Sequence, residues 1–244
     1  MSVAASAYRQ PGLLGLTAEN SRVVLLVALT FVTGSVDAVS YLGLDRVFTA
    51  NMTGNVALLG FAAGGAHGLP LLRSGGALLA FIVGAVVAGR AVRRADSRVI
   101  WPLPVAVSIG VAASLLTAVF LAWASHGSVP HADPVAAVLA FAMGLQGGAT
   151  RKLGVADLPT TVVTSTLTGM AADSALAGGE SVRWRRRAAA LVALLAGAFT
   201  GASLVHASPK LGLLPAMLVL WFVTGVIAVA RLHAPSDREA FAVT

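Results

Sequence analysis

The sequence predicts an all-α integral membrane protein of two inverted repeats, each with three transmembrane helices plus one short polar broken or re-entrant helix. Three observations lead there. Hydrophobic residues make up 57% of the 244 positions and charged ones 11%, against about 25% charged in an ordinary soluble domain. The chain carries an internal repeat. Its Arg and Lys residues are spread unevenly between the apolar runs.

Eight apolar segments are long enough to matter in a bilayer, at about 23–44, 48–64, 75–92, 99–123, 135–150, 160–177, 188–206 and 211–231. The first follows a polar start and has no small-residue cleavage pattern behind a short apolar stretch, so it is expected to remain as a membrane segment. The second opens with the polar stretch FTANMTGN and the sixth with TTVVTSTLTG. The third and seventh carry Gly84 with Ala88 and Gly197 with Gly201, small-residue faces suited to close helix packing. Pro104 and Pro215 stand at matched positions near the starts of the fourth and eighth, where they start or kink a helix. Between the fourth and fifth lies SHGSVPHADP, in which His126, His131 and Asp133 are too irregularly spaced to favour a metal site over a solvated loop.

The first four segments can be laid on the last four. GSVDAVSYLGL (34–44) falls on GLQGGATRKLGV (144–155), FTANMTGN (48–55) on VTSTLTGM (163–170), LLAFIVGA (78–85) on LVALLAGA (191–198), and LPVAV (103–107) on LPAML (214–218), at offsets of 110, 115, 113 and 111. Order and spacing both repeat, with an insertion, DLPT, near 156–160 of the second copy.

Basic residues set the topology. If all eight segments cross, Arg and Lys divide nine to eight between the two sides and give no orientation signal. If the second and sixth return to the side they came from, fourteen lie inside and only Arg46, Arg73 and Lys210 outside, as the positive-inside rule requires of short loops. Three crossings per half then make the repeats antiparallel. The chain divides into a cytoplasmic N-terminal segment (1–22), membrane repeat 1 (23–123), an external loop (124–134), membrane repeat 2 (135–232) and a cytoplasmic tail (233–244). After its polar start, the second segment keeps only nine apolar residues, VALLGFAAG, enough for roughly half of a ~30 Å hydrocarbon core at about 1.5 Å per residue.

A half-helix that begins near the midplane turns free N–H groups and a positive dipole end toward a cavity. Asn51, Thr53 and Asn55 of the second segment and Thr164, Thr166 and Thr168 of the sixth are the candidate solute-binding residues, suited to an anion or a polar neutral molecule. The plainer reading is that these side chains only tie helices together by hydrogen bonds. Asp37 is an ionisable residue about two thirds along the first segment. It suits a coupling proton, a cation or a polar helix partner, and equally a hydrated place near the outer interface.

At GSVDAVSYLGLDRVFTANMTGN, and again at GLQGGATRKLGVADLPTTVVTSTLTGMAADS, the chain resembles the YoaK-like family of bacterial membrane proteins, defined by a domain of unknown function, over residues 20–232. The resemblance implies a multi-pass protein of the bacterial cytoplasmic membrane and supplies no substrate. Its second motif tends to read GLQNA in that family, whereas Gly147 stands here in place of the Asn, which counts against a symmetric pair of sites.

The absence of cysteine excludes disulfides, thiolate metal ligands and Cys nucleophiles. The net charge of +7 resides in short clusters between apolar runs rather than on one polar face, so nucleic acid is not an expected partner. No hydrolase, metalloprotease, phosphate-loop or dinucleotide signature occurs, and neither an enzyme nor a cofactor is expected. The expected partners are the lipid bilayer and a small-molecule solute, and the oligomeric state cannot be read. The functional expectation is a small-solute secondary transporter or permease, with a non-transporting membrane scaffold or partner-binding protein as the alternative.

Overall fold

A computed structural model describes residues 18–95, 101–126, 132–153, 163–181 and 183–232. The start of the chain through residue 17, Arg98, His131, the DLPT insertion with Thr160 and Thr161, and the tail 233–244 lie outside the described residues. Among those described the architecture is all-helical. The helices are α1 (Ala18–Gly43), α2 (Met52–Ala63), α3 (Leu71–Val92), α4 (Leu103–His126), α5 (Ala132–Arg151), α6 (Val163–Ala172), α7 (Trp184–Ala207) and α8 (Leu213–Leu232), with one 3-10 turn at Ala175–Ala177.

Six of these, α1, α3, α4, α5, α7 and α8, are apolar enough and, at 20 to 26 residues, long enough to cross a membrane. By contrast, α2 has 12 residues and α6 has 10, about 18 and 15 Å at 1.5 Å per residue. Pro104 and Pro215 fall in the first turns of α4 and α8, where a missing N–H breaks no intrahelical bond. The chain leaves α1 through Asp45 and Arg46, both with a left-handed backbone (φ 62° and 63°), an uncommon conformation for residues with a side chain.

Side-chain contacts at the helix ends fix which ends lie together. Arg73, in the first turn of α3, donates to the Leu44 carbonyl just past α1 at 2.9 Å and to Asp45 at 3.0 Å, and also pairs with Asp133 at the start of α5. Gly43 at the end of α1 faces Pro209, just before α8, and Trp123 near the end of α4. At the other end of the bundle, Arg186 at the start of α7 pairs with Glu19 at the start of α1 (2.6 Å), and Arg231 near the end of α8 donates to the Trp101 carbonyl before α4 (2.6 Å). The chain between α1 and α3, which includes α2, therefore departs from and returns to one end of the bundle. The chain between α5 and α7, which includes α6, does the same at the opposite end, where most of the described basic residues gather.

The two most extensive interfaces are α3 on α5 and α1 on α7. Each is a parallel pair crossing at glycines. A Cβ placed on Gly34 would stand 2.2 Å from the Leu194 carbonyl oxygen and one on Gly197 2.0 Å from that of Phe31; at Gly84 and Gly144 the distances to the Phe141 and Phe81 oxygens are both 2.2 Å. No other residue permits backbones to approach so closely. In the next rank, α4 packs on α5, α1 on α8 and α4 on α8. α1 and α5 hold the centre, with Leu29, Val32, Val36 and Val39 of α1 and Ala136, Leu139 and Ala140 of α5 fully buried. The short helices lie outside this frame, α2 against α3 and α6 against α7.

Candidate functional site

The polar stretch before α2 folds back onto α1. One oxygen of Asp37, Oδ1, accepts hydrogen bonds from three consecutive backbone amides, Thr49 (3.0 Å), Ala50 (2.8 Å) and Asn51 (3.3 Å). These amides lead into the first turn of α2, whose N-terminal N–H groups have no intrahelical acceptor and carry the positive end of the helix dipole. The carboxylate of α1 thus fastens the stretch that leads into α2, while the first turn of the helix itself is capped by Asn51. Asp37 lies six residues before the end of α1, about 9 Å inward along the axis. Its second oxygen has no hydrogen-bond partner among the described residues.

Three further contacts hold the same loop. Thr49 Oγ1 and Ser40 Oγ are hydrogen-bonded at 3.2 Å, both residues buried. Asn55, fully buried, accepts from the Phe48 amide (3.0 Å) and donates to the Phe48 carbonyl (2.6 Å), so both polar atoms of its side chain are used on one backbone residue. The Phe48 ring stacks on Tyr41 with centroids 4.8 Å apart and covers Gly54. Asn51 caps α2 by accepting from the Gly54 amide at 3.4 Å. Asn51 and Thr53 are exposed beside this anchor.

In the second half, Thr166 is buried on α6 while Thr164 and Thr168 are exposed. Arg187 of α7 lies against Gly169 and pairs with Asp173 just past α6 at 2.7 Å. The position matching Asp37 is Gly147, beside the Phe81 ring. The six sequence-predicted residues therefore form two groups, one on each short helix, and α2 and α6 share no substantial interface among the described residues. Asp37 joins the first group directly.

Sequence reasoning missed Ser40 and Thr49 as partners, Arg73 as the clamp between α1, α3 and α5, and Gln146. Gln146 is buried on α5 at its crossing with α1, donates to the Leu29 carbonyl at 3.3 Å and leaves Oε1 without a partner among the described residues. A polar amide within an otherwise apolar span was the available signal for it. Two surface cavities lie at the basic end: one of about 590 Å³ lined by Ala172, Asp173, Glu180, Arg183 and Arg187 where α6 gives way to α7, and one of about 270 Å³ lined by Arg90, Ala91, Arg93 and Arg94 at the end of α3.

The family model described as "Protein of unknown function (DUF1275)" matches residues 25–232. The UPF0700 transmembrane protein YoaK of Bacillus subtilis (strain 168) is 35% identical over 158 residues, covering 65% of this chain and 69% of YoaK. No solved structure matches.

Proposed function

We propose, from the premise that the chain belongs to the DUF1275 family of YoaK-like membrane proteins, that it is a secondary transporter of a small anion or polar neutral metabolite in the bacterial cytoplasmic membrane. The reading takes residues 23–123 and 135–232 as two inverted repeats and both termini as cytoplasmic. In its support, exchanging α1 with α5, α2 with α6, α3 with α7 and α4 with α8 maps the main interfaces onto one another: α1–α7 onto α5–α3, α1–α8 onto α5–α4 and α2–α3 onto α6–α7. The two short helices hang from opposite ends of the bundle under the same exchange, the arrangement of inverted-repeat carriers with broken helices. Among described residues, the basic end collects Arg90, Arg93, Arg94, Arg151, Lys152, the cluster at 183–187 and Arg231, as expected of a cytoplasmic face.

The observation that carries the transport reading is the capture by Asp37 of three consecutive amides in the stretch leading into α2. A proton on that carboxylate removes the charge that holds the loop and leaves the amides, with Asn51 and Thr53 beside them, available to acceptors on a solute. Asp37 is then the coupling residue. Reconstitution into proteoliposomes with a panel of small anions and neutral metabolites tests this: uptake driven by a proton gradient in the native chain, abolished in Asp37→Asn, is the expected result. The alternative, a scaffold without transport, draws on the fact that Asn55 spends both its polar atoms within the loop. It predicts no uptake and no ligand-induced thermal stabilisation for any solute in the panel.

A further inference from the structure

The basic end of the bundle is electrically lopsided. On the α1–α7 side, Arg186 is paired with Glu19 and Arg187 with Asp173, Arg22 and Arg183 are also engaged, and Arg185 is exposed. On the α3–α5 side, Arg90, Arg93 and Arg94 at the end of α3 and Arg151 and Lys152 at the end of α5 are exposed and meet no carboxylate among the described residues. The two helix ends are neighbours, because α3 and α5 run parallel with Gly148 seated on Ala85 and Ala88. Each helix C-terminus offers about half a negative charge, so the pair of dipoles offsets roughly one of five positive charges. Among the described residues nothing offsets the remainder, which leaves a strongly positive patch open to an anion.

The surroundings select its kind. The cavity between Arg90, Ala91, Arg93 and Arg94 is about 270 Å³, a volume for a headgroup rather than a large solute. Further into the span, the same helix exposes Ile82, Val83, Val86 and Val87, an apolar wall one to three turns from the guanidinium groups. A free inorganic anion has no use for that wall, whereas an acyl chain lies along it. We propose that this cleft binds the phosphate of an anionic phospholipid, with its tails along the exposed face of α3. This inference is independent of transport, since none of these residues belongs to the Asp37 loop.

The test is native mass spectrometry of the full chain released from detergent, with phosphatidylglycerol or phosphatidylcholine supplied at matched ratios. The native chain is expected to retain phosphatidylglycerol about a hundredfold more strongly than phosphatidylcholine, and R90Q/R93Q/R94Q to lose nearly all of that preference, at about fivefold per guanidinium removed. Arg185→Gln, at the same end on the other side of the bundle, should leave the preference unchanged. Where the triple variant does not insert, Arg93→Gln and Arg94→Gln separately should each weaken retention about fivefold. Equal retention of the two lipids, an unaltered preference in the Arg variants, or displacement of phosphatidylglycerol by millimolar inorganic phosphate would each overturn the proposal, the last by marking a site for a free anion.

Discussion

The start of α2 and the surroundings of α6 occupy places that the sequence alignment lays on one another, and the polar contacts described at each differ. α2 is held by its N-terminus, through three amides on Asp37 and the Asn55 clamp on Phe48. At α6, Arg187 lies against Gly169 and pairs with Asp173 at the C-terminal side, Ser165 and Thr166 near its start are also engaged, and Gly147 stands where the alignment puts the carboxylate of the first half. The glycine crossings, in contrast, match closely in the two halves, with a Cβ at Gly34 or Gly144 meeting a carbonyl oxygen at the same 2.2 Å. The two halves of the described frame thus share their close glycine packing while their described polar contacts differ. Close packing is dictated by the backbone geometry of the frame; the fastening depends on single side chains and is free to change.

The comparison breaks most severely if the frame is not shared. Gly34→Val and Gly84→Val each force side-chain atoms into a backbone carbonyl and should cost about 3 kcal/mol or more. Both variants are expected to lose the monodisperse folded species in detergent chromatography, and tolerance of one but not the other would show that the two crossings are unequal. Next in size is the α2 anchor. Asp37→Ala removes a charged acceptor from three amides and should lower stability by about 2 kcal/mol, read as a shift in the thermal or denaturant midpoint. Asp37→Asn, which keeps an oxygen in place but not the charge, should lose about half as much. The α6 fastening is weaker, because Asp173 is half exposed: Arg187→Gln should cost at most about 1 kcal/mol. An Arg187 effect equal to that of Asp37→Ala would erase the asymmetry between the halves.

Much of the frame was legible in the sequence because length and charge placement are strong signals in a bilayer. Six runs of about 20 apolar residues read as spans, and two runs interrupted by Thr and Asn read as too short to cross. Gly84 and Gly197 stood out because small residues a turn apart have few other uses in an apolar helix. The pairing of helices was not legible. Every face of a membrane helix is apolar, so periodicity does not say that α1 lies on α7 or that α2 and α6 lie on different helices. The partner of Asp37 was hidden for a related reason. A carboxylate that binds backbone amides twelve to fourteen residues downstream is joined to them by a loop whose inward fold leaves no periodic trace. Thr49 and Ser40 could be recognised as a pair only once that fold was known.

The smallest expected effects carry the sharpest test of what the exposed polar residues are for. Thr53 and Thr168 lie on the two short helices, both are exposed, and neither is seen hydrogen-bonding another described residue through its side chain. Replacing either with Ala should change stability by no more than about 0.5 kcal/mol, well below the Asp37 effect. If Thr53 assists a solute at the start of α2, Thr53→Ala should nonetheless weaken uptake in proteoliposomes or ligand-induced thermal stabilisation several-fold at unchanged basal stability. Thr168→Ala should do so to a lesser degree, since α6 has no carboxylate at the Gly147 position to release its amides. Equal losses in the two variants would mean that the halves act alike despite their different fastenings. The absence of any functional change in both, beside a large one in Asp37→Asn, would confine the chemistry to the carboxylate and the amides it holds.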